Sequence, residues 1–172
     1  MTARTESARG APLTVDSRAL RDVLGTFTTG VCLITTVDGR GRALALTANS
    51  FASVSLEPPL VLWSLQHDCD IFDALVSPER YAINVLSSEQ EALSRAYARR
   101  GAHEMETAHY EPGANGAPLV RDALAFFECT LDATHEGGDH TIIVGRVTRF
   151  AAREGGEPLV FYQGAYRALA AR

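Results

Sequence analysis

A chain of 172 residues with 46% apolar residues can build one well-packed domain, and this composition excludes global disorder. Its 16 Lys and Arg against 21 Asp and Glu give a formal charge of −5, which argues against a surface made for nucleic acid or an anionic membrane. No apolar run approaches the roughly 18 residues of a membrane-spanning helix.

Three cysteines, Cys32, Cys69 and Cys129, stand far apart, without a CxxC or a zinc-knuckle spacing. Each reads as a small buried apolar side chain in a reducing compartment, and no metal is expected. The polar stretch from Met1 to Pro12 lacks the apolar segment of a signal peptide. The expectation is a cytoplasmic protein with a flexible tail over residues 1–15 and one domain over 16–172.

In chain order, Asp16 or Ser17 caps a helix whose Leu20, Val23, Leu24 and Phe27 share one face, ending at Gly30. β-Branched residues over Val31–Thr36, a turn at Asp38-Gly39 and a return strand over Ala43–Thr47 read as a hairpin. Phe51–Leu56 continues extended until Pro58-Pro59 breaks it. Leu60–Leu65 is a strand apolar enough to be buried on both faces. A short helix over Asp70–Leu75 and a strand over Tyr81–Leu86 follow, then a capping box at Ser88-Glu89-Gln90-Glu91 opening a helix to about Arg99. Residues 101–118 show no periodicity and read as a long loop in which His103 and His109 are solvated. Strands over Leu124–Thr134 and Thr141–Phe150 flank a Gly137-Gly138-Asp139 turn, and Leu159–Tyr162 is the last strand, after a turn at Glu154-Gly155-Gly156. About seven strands joined by turns predict a mainly β (α+β) fold, an antiparallel barrel with a few peripheral helices.

Phosphate-cradling, Rossmann, zinc-protease and nucleophile-elbow motifs are all missing. A dinucleotide bound here is therefore not held in the Rossmann manner. The most unusual stretch is Thr47-Ala48-Asn49-Ser50-Phe51-Ala52-Ser53-Val54-Ser55. Drawn as one extended segment, it puts Thr47, Asn49, Phe51, Ser53 and Ser55 on one face. Ala48, Ala52, Val54 and Leu56 fall on the other, with Ser50 the exception. Short neutral hydroxyl and amide groups around an aromatic ring suit the carbonyls and nitrogens of a flavin, although an ordinary polar strand face carries the same pattern.

A second candidate is Gly137-Gly138-Asp139-His140. Asp139 can hold His140 in one tautomer with its other nitrogen facing a pocket, or the four residues make only a turn with a histidine on its rim. His67-Asp68-Cys69-Asp70 offers metal-ligand types, but adjacent positions do not readily converge on one ion, and it reads as a loop entering a helix. Trp63 reads as core. Tyr162 and Tyr166 either pack over a ligand or cover the barrel mouth. Arg95, Arg99 and Arg100, the densest basic group, read as a solvated helix end.

At these stretches the sequence resembles the flavin reductase family of split-barrel proteins, the reductase partners of two-component flavin-dependent monooxygenases. The similarity runs through Leu24-Gly25-Thr26-Phe27-Thr28-Thr29-Gly30-Val31, the block from Thr47 to Val61, Tyr81-Ala82-Ile83-Asn84-Val85-Leu86, Gly138-Asp139-His140-Thr141 with Gly145-Arg146-Val147, and Pro158-Leu159-Val160-Phe161-Tyr162. It spans about residues 18–167. Where the family shows Gly-Met before the threonine of the second block, this chain has Ala45-Leu46, which keeps the position apolar.

The resemblance implies a Greek-key split barrel, a homodimer, and a flavin held at the subunit interface by backbone and short polar side chains. It places Thr47, Asn49 and Ser50 at the isoalloxazine or ribityl region and Ser53 and Ser55 near the phosphate. Ser64, Asn84, Val85 and Leu86 complete the pocket it implies, and His140 stands on the nicotinamide side as the catalytic position; Tyr166, if it packs over the ligand, joins the cofactor-binding set. The implied activity is reduction of FMN or FAD by NADH or NADPH, with reduced flavin passed to a monooxygenase. Such chemistry needs stacked rings and excluded water more than a protein acid or nucleophile. The alternatives are a pyridoxamine-phosphate-oxidase-like enzyme, which needs clustered Arg or Lys for its phosphate, and a non-enzymatic flavin- or haem-binding split barrel.

Overall fold

A computed structural model describes residues 15–169. The expected tail over 1–15 lies, Val15 apart, outside the described residues. In chain order the elements begin with α1 (Ser17–Leu24), β1 (Thr29–Gly30), β2 (Cys32–Val37), β3 (Ala43–Ala48), β4 (Ala52–Leu56) and β5 (Pro59–Gln66). Then come α2 (Phe72–Val76), β6 (Tyr81–Val85), a 3-10 turn at Ser88–Gln90, α3 (Glu91–Tyr97), β7 (Tyr110–Pro112) and β8 (Pro118–Val120). The long hairpin β9 (Ala125–Gly137) and β10 (His140–Ala152) precedes β11 (Val160–Tyr162) and β12 (Ala165–Arg167). None of the described helices is long and apolar enough to cross a membrane.

Asp16 caps α1 by accepting from the N–H groups of Arg18 at 2.9 Å and Ala19 at 3.3 Å, the local reason the helix starts there. It ends at Gly25 rather than at the expected Gly30. Thr29 and Gly30 are instead drawn into β1, paired with Phe161 and Val160 of β11. The expected capping box also sits one residue earlier, with the Gln90 side chain accepting from the Ser87 N–H at 3.0 Å. Pro59 opens β5 instead of ending an extended run, and Pro at a strand's first residue is tolerated.

Seven strands pair antiparallel in the order β3-β2-β6-β9-β10-β5-β4. Laid flat, their six gaps of about 4.8 Å would make a sheet roughly 29 Å wide. Yet the two edge strands, β3 and β4, follow one another in the chain, and Ala48 to Ala52 reaches at most about 14 Å. The sheet must therefore curl into a barrel with a seam between β3 and β4, which do not pair with each other. This is the expected antiparallel barrel.

The inside is filled by Ile34, Trp63, Leu65, Tyr81, Ile83 and Ile143. Alternate residues of β2 point outward, so Leu33, with Val31 just before the strand, joins a second core with Ala45, Leu86, Tyr97 and Leu159. β2 is thus buried on both faces. Residues 101–118 correct the expected structureless loop. Glu104 bridges to Leu44, Thr107–His109 form a 3-10 turn, and β7 pairs with β8. Pairing to the open edge of β3 satisfies backbone groups that a free loop would leave to water.

Candidate active site

The seam opens because the chain bends where β3 becomes β4. The expected unbroken extension from Thr47 to Ser55 is corrected here. β3 stops at Ala48, β4 starts at Ala52, and a register shift lies between Ser53 and Ser55. Local hydrogen bonds hold the bend. Ser50 Oγ accepts from the Ser64 N–H of β5 at 2.9 Å, replacing a ladder bond that β4 does not supply. Thr47 Oγ1 donates to the Ser94 carbonyl at 2.7 Å, which ties the end of β3 to α3. A bend lets residues of both parities face one side, as a strand cannot.

On one side of the bend lies a cavity of about 370 Å³ lined by Thr47–Ser50, Ser64, Gln66, His140, Arg100 and the Asp68–Asp70 turn with His103. On the other lies a smaller cavity of about 210 Å³ whose walls include Val31, Phe161 and Tyr166. The two share Thr47, Ala48, Asn49 and Ala98. Tyr166 is fixed from three directions. Its hydroxyl pairs with Ser94 Oγ at 2.8 Å, the Arg95 guanidinium covers its ring at 4.6 Å, and Phe161 meets it edge-on at 5.4 Å. It forms a preset aromatic wall.

His140 starts β10, directly after a two-residue turn in which Gly138 has φ +77°, as primed hairpin turns need. Its Nδ1 lies 2.7 Å from Asp139 Oδ1. The hydrogen bond and charge of His140 hold the Asp139 carboxyl below its ordinary value, so that carboxylate accepts and Nδ1 donates. In the neutral ring this leaves Nε2 as the free acceptor.

On the opposite wall, burial pushes the Asp70 carboxyl upward, but the Gly101 N–H and His103 outweigh it and the net direction is down. Arg100 Nη2 donates to the Asp68 carbonyl at 2.7 Å. Burial pushes the thiols of Cys32 and Cys129 up to about 12. Cys69 is half-buried and lines the larger cavity, which corrects its reading as a buried apolar residue.

Residues 24–170 match the flavin reductase like domain. The chain belongs to the flavin reductase family. It is 44% identical over 151 residues to the FMN reductase (NADH) of Agrobacterium fabrum, covering 88% of this chain and 85% of that protein. It is 34% identical over 155 residues to the reductase subunit of a flavin-dependent monooxygenase from Rhodococcus jostii, covering 90% of this chain and 79% of that one. Its fold superposes on the NADH:FAD oxidoreductase of Streptomyces globisporus, solved with NAD and FAD fragments, with a TM-score of 0.84, 36% identity, and 90% and 93% of the two chains covered.

Among the flavin reductase positions expected from sequence, Thr47, Asn49, Ser50, Ser64 and His140 meet at the larger cavity, and Tyr166 with Thr47 and Asn49 at the smaller. Ser53 and Ser55 lie outside both cavities on edge strand β4, Ser53 exposed and Ser55 half-buried. Asn84 is fully buried. Its amide donates to the Leu33 carbonyl at 3.2 Å and Thr35 Oγ1 at 3.0 Å, and its oxygen accepts from the Val120 N–H at 2.9 Å. Val85 is half-buried and Leu86 buried, and neither lines either of these two cavities.

Sequence reasoning missed Gln66, Asp68, Asp70, Arg100 and His103. Arg100 reads as a solvated helix end and His103 as a loop histidine, yet Arg100 borders the cavity and His103 is 5% exposed. His109 is half-buried, with Nδ1 2.8 Å from the Tyr97 hydroxyl. No spacing could reveal these, because the β5–α2 turn and the segment after α3 meet only across the seam.

Proposed function

We propose that this protein is an NADH-dependent flavin reductase of the cytoplasm, reducing FMN or FAD at the seam and releasing it to a separate flavin-dependent monooxygenase. The carrying observation is the bend at Thr47–Ser50. It sets neutral amide, hydroxyl and backbone groups between a polar cavity and an aromatic wall. The residues fit a flavin. Uncharged donors and acceptors match ring carbonyls and nitrogens, and about 370 Å³ lies within the range of roughly 300–1,000 Å³ for small-molecule sites. Arg100 offers an anionic phosphate a partner on the same wall.

A bound flavin supplies the hydride acceptor and NADH the donor. The chain's own groups bind, orient and exclude water. Ser50 and Thr47 keep the bend rigid, Tyr166 and Phe161 close the apolar side, and His140 presents Nε2 to the nicotinamide edge. Ser53, Ser55, Asn84, Val85 and Leu86 belong to this reading through the family likeness, Asn84 by holding β6 and β2 in register. The reading includes a homodimer, supported by the exposed apolar side chains Leu20, Val23, Leu24, Phe27, Leu56 and Phe150. Exposed apolar side chains of this size mark an interaction face where they adjoin one another.

The test is steady-state oxidation of NADH and of NADPH by purified protein, with and without FMN, FAD or riboflavin. Rapid NADH loss only when a flavin is present is the expected result. Equal rates with and without flavin would overturn the reading.

A further inference from the structure

The polar wall of the larger cavity holds a group of side chains that hydride transfer does not use. Cys69 Sγ, an Asp70 carboxylate oxygen and a His103 ring nitrogen lie within 4.8 Å of one another. Cys69 and Asp70 come from the turn between β5 and α2, and His103 from the segment after α3 that covers the edge of β3. Neighbouring residues alone converge poorly on one ion, which is why the sequence argues against a site at 67–70. His103 supplies the missing third direction.

His103 is held as a metal-ligating histidine is held. It is 5% exposed, and its Nδ1 lies 3.0 Å from the Ala45 carbonyl oxygen. A carbonyl only accepts, so Nδ1 carries a proton and Nε2 is aimed at Asp70 Oδ1, 2.7 Å away. Ligand histidines are commonly oriented by such an outward N–H to a backbone carbonyl. The other Asp70 oxygen accepts from the Gly101 N–H at 2.5 Å, so the carboxylate is braced as well.

We propose that Cys69, Asp70 and His103 form a binding site for one borderline divalent cation of the zinc class. Thiolate with imidazole selects zinc over magnesium or calcium. A tetrahedral zinc with bonds of about 2.0–2.3 Å keeps its ligand atoms roughly 3.3–3.7 Å apart, so a shift of about an ångström closes the set. All three residues line the cavity, and the fourth coordination position opens into it, as in zinc sites with three protein ligands. A thiol binds the cation as thiolate, so the Cys69 proton leaves as the cation enters. The bound ion cross-links the two loops that border the cavity.

The test uses untagged full-length protein, stripped with a chelator, kept reduced, and titrated with Co²⁺ and then Zn²⁺. One ion per chain is expected, with a thiolate-to-cobalt charge-transfer band that zinc abolishes by displacement. The band reports Cys69, because Cys32 and Cys129 are buried. Bound zinc slows alkylation of Cys69 at least about tenfold, and Cys69→Ala removes the band and weakens zinc binding by at least about thirtyfold. His103→Gln also loses its hold on Ala45, so Asp70→Asn is the second variant, expected to weaken binding about tenfold. Absence of the band, or zinc affinity untouched by Cys69→Ala, overturns the site. Neither readout involves flavin or NADH, so this result is separable from the reductase assay.

Discussion

Two residues expected at the cofactor show how differently similar polar groups are used. Asn84 bonds inward to Leu33, Thr35 and Val120. Thr35 in turn donates to the Pro118 carbonyl at 2.5 Å. Asn84→Ala strands these buried partners and is expected to cost roughly 2–4 kcal/mol in chemical denaturation, leaving the flavin Kd of the folded variant within about threefold. Loss of flavin at unchanged stability would assign it to the site itself. His140 faces the cavity with its tautomer set by Asp139. Asp139→Asn and His140→Gln are expected to lower kcat/KM for NADH roughly ten- to a hundredfold at unchanged flavin Kd. Because the folded Asp139 carboxyl titrates below its ordinary 3.8, its hold on His140 is complete above that value. The hold fades as pH falls through the lowered one. NMR of the His140 ring from neutral pH downward checks the sign.

At the scale of elements, the hairpin β9–β10 carries the barrel wall, and Gly145 on β10 is its tightest point. A Cβ there would collide with the Tyr81 hydroxyl and touch Cys129 Cβ at 3.4 Å. Tyr81 itself is fixed against Trp63, ring centroids 6.2 Å apart. Gly145→Ala is therefore expected to lose about 1–3 kcal/mol, measured as a lower Tm, with Gly138→Ala at the turn as a comparison free of packing overlap. Most long elements were legible because their apolar spacing repeats. The strands β1, β7, β8 and β12, of two or three residues each, carry no period and exist only through their partners.

For the whole molecule, α1 is the telling case. Leu20, Val23 and Leu24 lie on it, yet it has no buried residue, and Phe27, expected on the same face, falls beyond its end and is 79% exposed. Leu56 on β4 is 95% exposed and Phe150 on β10 71%. On the proposed homodimer, replacing Phe27 and Leu56 together by Ser and Asp is expected to shift sedimentation from dimer to monomer at micromolar concentration. It should also weaken flavin binding, since the seam then stands alone. A variant that sediments unchanged would remove these side chains from the proposed interface, and a wild-type chain that sediments as a monomer would overturn the homodimer.

By itself the sequence determined the barrel class, the strands with sustained periodicity and the neutral polar stretch at Thr47–Ser50, because each depends on residues close together in the chain. Only the tertiary structure decided which polar groups face a cavity. It turned Asn84 into the core, left Ser53 and Ser55 on an edge, and brought Arg100 and His103 to the seam. The physical reason is closure. A seven-stranded sheet whose two edges are consecutive in the chain must curl, and curling joins loops whose meeting no local pattern encodes.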